Sequence, residues 1–221
     1  MRLLLITISI WMIWIMNKLE LGTKMKKVIY FLVFFFGFTQ ISLASIDKDN
    51  AVAMVENLTK EGIEKIVNSD APIEEKNRIF KTLFTENLDL EFIGKYVLGR
   101  YWRVATPAEQ REFIALYKEF NVKTWSKRFD EFKGKSFVFK GATSSNNPNQ
   151  VFVDTEVPMV EGKPISVKWR VADKNGDMKI IDIIIENVSL AQTARNEYTS
   201  FIAKSTNGVE GLLENLRLKT K

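Results

Sequence analysis

The spacing of apolar residues changes twice along this chain, and few folds allow that. From Asp47 to Asn68, the residues Ala51, Met54, Val55, Leu58, Ile63, Ile66 and Val67 recur at steps of three and four, the period of an amphipathic helix. Between Ser136 and Val188 the step becomes two, which is the period of a strand. From Ser189 it returns to the helical step. Helices stand before and after one block of strands. They point to α+β.

Four strands are expected, at Ser136–Gly141, Gln150–Val157, Ile165–Ala172 and Met178–Val188. Asn146-Asn147-Pro148-Asn149 reads as a loop, Glu161-Gly162-Lys163-Pro164 as a turn and Asp173-Lys174-Asn175-Gly176 as a hairpin tip. Val151, Val153, Thr155 and Val157 share one strand face; Ile165, Val167, Trp169 and Val171 share another, and Ile181, Ile183 and Ile185 a third. The opposite positions include Asp154, Glu156, Lys168, Arg170, Asp182 and Glu186. A sheet apolar on one side only is antiparallel and covered on that side by helices.

The helices carry their own punctuation. Pro72 opens a second helix running to about Asn87, with Ile73, Ile79, Phe80, Leu83 and Phe84 inward, and Gly99 ends a third that starts near Leu88. Thr106-Pro107-Ala108-Glu109 is a capping box, and the helix after it bears Phe113, Leu116, Tyr117, Phe120, Trp125, Phe129 and Phe132 on a broad stripe. Leu190, Ala194, Tyr198, Phe201 and Ile202 face inward on the helix from Ser189 to Lys204. Asn207-Gly208-Val209-Glu210 resembles a second capping box before a terminal helix with Leu212, Leu213 and Leu216.

Composition narrows the chemistry. With no Cys and no His, the chain has no disulfide framework, no thiolate metal site, no Cys nucleophile and no Ser-His couple. No cofactor is expected. The net charge of +5 is concentrated at the N-terminus, where Arg2, Lys18, Lys24, Lys26 and Lys27 face only Glu20. The remainder is close to neutral, so no nucleic-acid partner is expected, and Arg100-Tyr101-Trp102-Arg103 reads as exposed cations beside buried rings. Lys24-Met25-Lys26-Lys27, the apolar run Val28–Phe38 and Ser42-Leu43-Ala44 form the three parts of an export signal, with cleavage expected before Ser45. Translation is expected to start at Met25, making 1–24 an over-extended N-terminus, 25–44 a signal peptide and 45–221 the exported domain; the alternative is an anchor made of both apolar runs.

Two blocks carry a family resemblance. Phe92-Ile93-Gly94-Lys95-Tyr96-Val97-Leu98-Gly99-Arg100-Tyr101-Trp102-Arg103 with Thr106-Pro107-Ala108-Glu109-Gln110-Arg111-Glu112-Phe113 resembles the signature of MlaC-type periplasmic phospholipid carriers, the toluene-tolerance auxiliary transport family. Lys179 to Leu190, Arg195 and Gly208-Val209-Glu210-Gly211-Leu212-Leu213 resemble the second block. Met178 stands where the family usually has Trp, and Asn187 where it usually has Gly. The resemblance implies a carrier of glycerophospholipid between an inner-membrane ABC transporter complex with an MCE-domain subunit and an outer-membrane lipoprotein–porin complex, maintaining outer-membrane lipid asymmetry. It also implies acyl chains held between sheet and helices, and no catalysis.

On this reading, helices pack on one face of a curved, mainly antiparallel four-stranded sheet around an apolar cavity. Helical candidates for its wall are Phe92, Val97, Tyr101, Trp102, Phe113, Leu116, Tyr117, Phe120 and Trp125. Those from the sheet are Val153, Val167, Trp169, Val171, Ile183 and Ile185. A packed core has the same sequence signature as a cavity wall. Two other functions therefore stay open: a small secreted α+β enzyme using a cavity carboxylate such as Asp182, and a ligand-free envelope interaction module.

Overall fold

The computed structural model of the chain describes residues 46–159 and 161–221; the expected export signal and the segment before it lie outside them. Asp47 starts helix α1 (Lys48–Gly62), its carboxylate accepting the Asp49 and Asn50 N–H groups at 2.9 and 3.2 Å. The helix then loosens into a π turn, Ile63–Val67. Pro72 precedes α2 (Ile73–Asn87), and Asp89 caps α3 (Leu90–Leu98) through the Phe92 N–H. Gly99, at φ +54°, turns the chain into a 3-10 segment, Gly99–Arg103. Both halves of the Thr106/Glu109 capping box form at the start of α4 (Pro107–Ser126), which a short 3-10 turn, Phe129–Phe132, follows.

The strands are β1 (Val138–Ser144), β2 (Gln150–Val157), β3 (Ile165–Lys174), β4 (Asp177–Ile185) and β5 (Val188–Ser189), an antiparallel meander ordered β1-β2-β3-β4-β5. Helices α5 (Leu190–Lys204) and α6 (Gly208–Thr220) complete the chain. The fold is α+β, with a fifth strand because Glu186 and Asn187, at φ 48° and 65°, break the expected last strand with a tight turn. Asn187 adopts the left-handed backbone that Asn tolerates better than most residues.

Other expectations shift locally. The hairpin tip forms as read, with Asn175 and Gly176 both at positive φ. In β4, Val171 pairs with Ile180 and Arg170 with Asp182, leaving Ile181 as a bulge. Ile180 and Ile181 are therefore both buried, and the inner face passes from Ile183 to Ile180 instead of continuing through Ile181 alone. Ile73 and Phe201, read as inward, are exposed. Asn207 makes no cap because its backbone is already near the helical region (φ −97°, ψ 8°); Glu210 instead binds Arg217, which also holds Glu112.

Buried apolar side chains fall into three separate clusters. One joins α3, α4, α5 and α6 around Leu98, Phe113, Leu212 and Leu213. A second joins α1 to the sheet through Val55, Val151, Val153, Val171 and Ile180. The third is Ile66, Leu83 and Phe129. A domain of this size ordinarily has one contiguous core. Here the buried clusters meet only through half-buried side chains, Leu88 between the first and second and Leu58 between the second and third.

Candidate functional site

The space between the clusters is a cavity of about 420 Å³, within the roughly 300–1,000 Å³ range of ligand pockets. Ile93 and Tyr117 from the first cluster, Ile180 from the second, and Ile66, Leu83 and Phe129 from the third all reach it. Its wall is overwhelmingly apolar. A second hollow of about 520 Å³ shares Leu88 with it but carries Arg111, Lys118, Lys174 and Lys179, which suits it poorly to hydrocarbon.

Among the sequence-derived candidates, Tyr117, Trp125, Val167, Trp169, Ile183 and Ile185 come together on this cavity. Val97 and Phe113 are fully buried in the helical cluster, with Tyr101, Trp102, Leu116 and Phe120 packed against it. Val153 and Val171 lie under α1 in the second cluster. Phe92 is exposed; its neighbour Ile93 lines the cavity in its place. The physical reason is helical phase. On α4, Tyr117, Asn121 and Trp125 stand four apart on the cavity side and Phe120 falls out of that phase; Phe113 is in phase but one turn nearer the helix start, where it packs in the helical cluster.

Sequence reasoning missed much of the wall: Ile63 and Ile66 of the π turn, Phe80 and Phe84 of α2, and Phe132 and Phe137 between α4 and β1. Several had been read as inward-facing, but helical period gives no sign of which inward residues meet a void. Asn121 is a polar member of the same α4 stripe as Tyr117 and Trp125.

Three polar residues of the wall, Thr59, Asn121 and Asp182, hold internal hydrogen bonds. The Thr59 hydroxyl donates to the carbonyls of Val55 and Glu56, and the Asn121 amide donates to the Tyr117 carbonyl at 2.8 Å. Asp182 accepts hydrogen bonds from the Ser189 hydroxyl at 2.6 Å and the Ala191 N–H at 3.0 Å, while Ser189 Oγ accepts the Gln192 N–H. It secures the start of α5. Thr155, buried beneath the wall, donates to the Val167 carbonyl and accepts the Trp169 indole N–H at 3.1 Å, fixing that ring. On the opposite sheet face, Asp154 pairs with Lys168 at 3.4 Å and Glu156 with Lys140 at 3.0 Å. Burial pushes the Tyr117 phenol up to about 12; Asn121 opposes this and the Asp182 charge adds to it.

The family model described as "MlaC protein" matches residues 56–218. The chain belongs to the MlaC family. MlaC proteins are lipid-binding transport proteins, not enzymes, which removes the reading of an enzyme using a cavity carboxylate such as Asp182. Over 204 residues the chain is 19% identical to the intermembrane phospholipid transport system binding protein MlaC of Haemophilus influenzae, covering 88% of this chain and 93% of that relative. The solved structure of a phospholipid-binding protein from Ralstonia solanacearum, in complex with a phospholipid, has the same fold. Its TM-score is 0.69 at 21% identity, covering 77% of this chain and 96% of the other.

Proposed function

We propose that this MlaC-family protein is a periplasmic carrier that takes glycerophospholipid between an inner-membrane ABC transporter complex with an MCE-domain subunit and an outer-membrane lipoprotein–porin complex, maintaining outer-membrane lipid asymmetry. The observation that supports this reading best is the apolar cavity between sheet and helices. Two acyl chains expose on the order of 30 methylenes, each costing about 0.8 kcal/mol in water, so crossing an aqueous space needs such a sleeve. The internal hydrogen bonds of Thr59, Asn121 and Asp182 reduce the wall's competition for water. No reacting group is required; direction comes from the ATP-driven partner.

The test is extraction and mass spectrometry of lipid co-purified from a bacterial host, together with uptake from vesicles. Glycerophospholipid is expected in the wild-type protein. Val167→Glu or Trp169→Glu, on the cavity wall, should reduce loading at least tenfold, whereas Lys168→Glu between them should leave it near wild type. Protein that is always empty and takes up no lipid would remove the proposal.

A further inference from the structure

The second hollow, of about 520 Å³, is built from α4, the link between α2 and α3, and the β3–β4 hairpin. On α4 its wall is Arg111, Ile114, Ala115 and Lys118, at positions i, i+3, i+4 and i+7 of one helix face. The two cations therefore stand two turns apart, about 10 Å along the axis, with an apolar stretch between them. The hairpin adds Lys174 and Lys179. We propose that this hollow binds a small sugar bisphosphate, with one phosphoryl group at each end of the carbon skeleton. The inference is independent of the carrier reading.

Three observations carry it. First, Arg111, Lys118 and Lys174 form no ion pair among the described residues, because the acids around them are committed elsewhere. On α4, Glu109 closes the capping box, Glu112 binds Arg217 and Glu119 binds Lys81. Glu91 binds Lys95 at 2.6 Å, and Asp177 pairs with Lys179 at 3.3 Å. Second, Lys118 is half-buried, so its ammonium has given up part of its hydration without gaining a counter-charge. Third, the charges are laid out for a ligand with two anionic ends. The Arg111 fork matches phosphate oxygens in a bidentate manner, and Lys118 supplies a point charge two turns away. A lone phosphate reaches one end only, whereas a carbon skeleton packs on Ile114 and Ala115 between the ends. Asp89 accepts the Phe92 N–H through Oδ1 and Asp177 meets Lys179 through Oδ1. The second oxygen of each carboxylate can accept a sugar hydroxyl.

The test titrates the protein as purified with fructose 1,6-bisphosphate, fructose 6-phosphate and inorganic pyrophosphate by isothermal titration calorimetry. The bisphosphate is expected to bind about tenfold more tightly than either of the others. Arg111→Gln or Lys118→Gln should remove that advantage, each by deleting one end of the site, and Lys174→Gln should weaken the bisphosphate about threefold. Lys140→Gln, whose ammonium pairs with Glu156 on the other sheet face, should change nothing. Equal affinity for all three anions, or tighter binding of pyrophosphate, overturns the two-ended site. Affinity that falls as much in Lys140→Gln as in Arg111→Gln shows general attraction to surface charge and overturns it as well. Bound lipid, followed by mass spectrometry, should stay in place throughout; its displacement by the bisphosphate would move the anion to the other cavity. An acidic peptide such as hexaglutamate, if it binds more tightly than the bisphosphate, turns the hollow into a protein-docking surface and overturns the small-ligand assignment.

Discussion

Tyr117 shows how one side chain serves both the wall and the core. Its ring lines the cavity, stands edge-on to Tyr198 with centres 6.4 Å apart, and neighbours Phe113 at 5.8 Å. Burial raises the phenol from the usual 10.0 to about 12, and burial likewise raises Tyr198. The unfolded chain therefore releases this proton at lower pH than the folded protein does. Stability from the neutral phenol is complete below about pH 10 and is lost between about pH 10 and pH 12, by roughly 2–3 kcal/mol for Tyr117. Urea unfolding midpoints should fall across that interval, and Tyr117→Phe should flatten the fall. An unchanged slope in the variant would contradict the assignment.

Among the elements, α3 and α5 are tied together by Arg195 as well as by their apolar packing. Arg195 Nη1 of α5 donates to the Tyr96 carbonyl at 2.7 Å in the last turn of α3, and the guanidinium lies over the Tyr96 ring at 4.9 Å. Gly99 makes room for it, since a Cβ there would come within 2.9 Å of Arg195 Nη2, at a backbone already in the left-handed region. Arg195→Met should cost about 1–3 kcal/mol and lower the melting temperature by several degrees, while Lys204→Met on the same helix should change it little; thermal melts by circular dichroism decide. Elements of this kind were readable from the sequence because caps and turns are local: the Thr106/Glu109 box and the Asn175-Gly176 tip need only neighbouring residues. The β4 bulge was not, because Ile180, Ile181, Ile183, Ile184 and Ile185 are all isoleucine, and composition gives no hint of a slipped register. Wall residues mixed with core residues for a similar reason. Phe113 and Tyr117 share one helical stripe, and only the packing of α3 and α6 decides which of them meets a void.

Across the whole molecule, the separation of buried side chains into three clusters predicts a dependence on cargo. Apolar atoms facing empty space lack the dispersion contacts that hydrocarbon would supply. A ligand at a thousand times its dissociation constant adds about 4 kcal/mol to folding. Stripping bound lipid should therefore lower the calorimetric melting temperature by on the order of 10 °C, and reloading from vesicles should restore it. Equal melting temperatures before and after stripping would mean that the interior is indifferent to what fills it. The meander has another consequence, in time rather than in energy. Among the described residues each strand pairs with the strands adjacent to it along the chain, the bridge from Leu88 to Ile180 aside, so no early strand waits for a distant late one. The sheet can grow one hairpin after another behind the leading end, and sequence-local pairing of this sort shortens the loops that must close and favours rapid assembly.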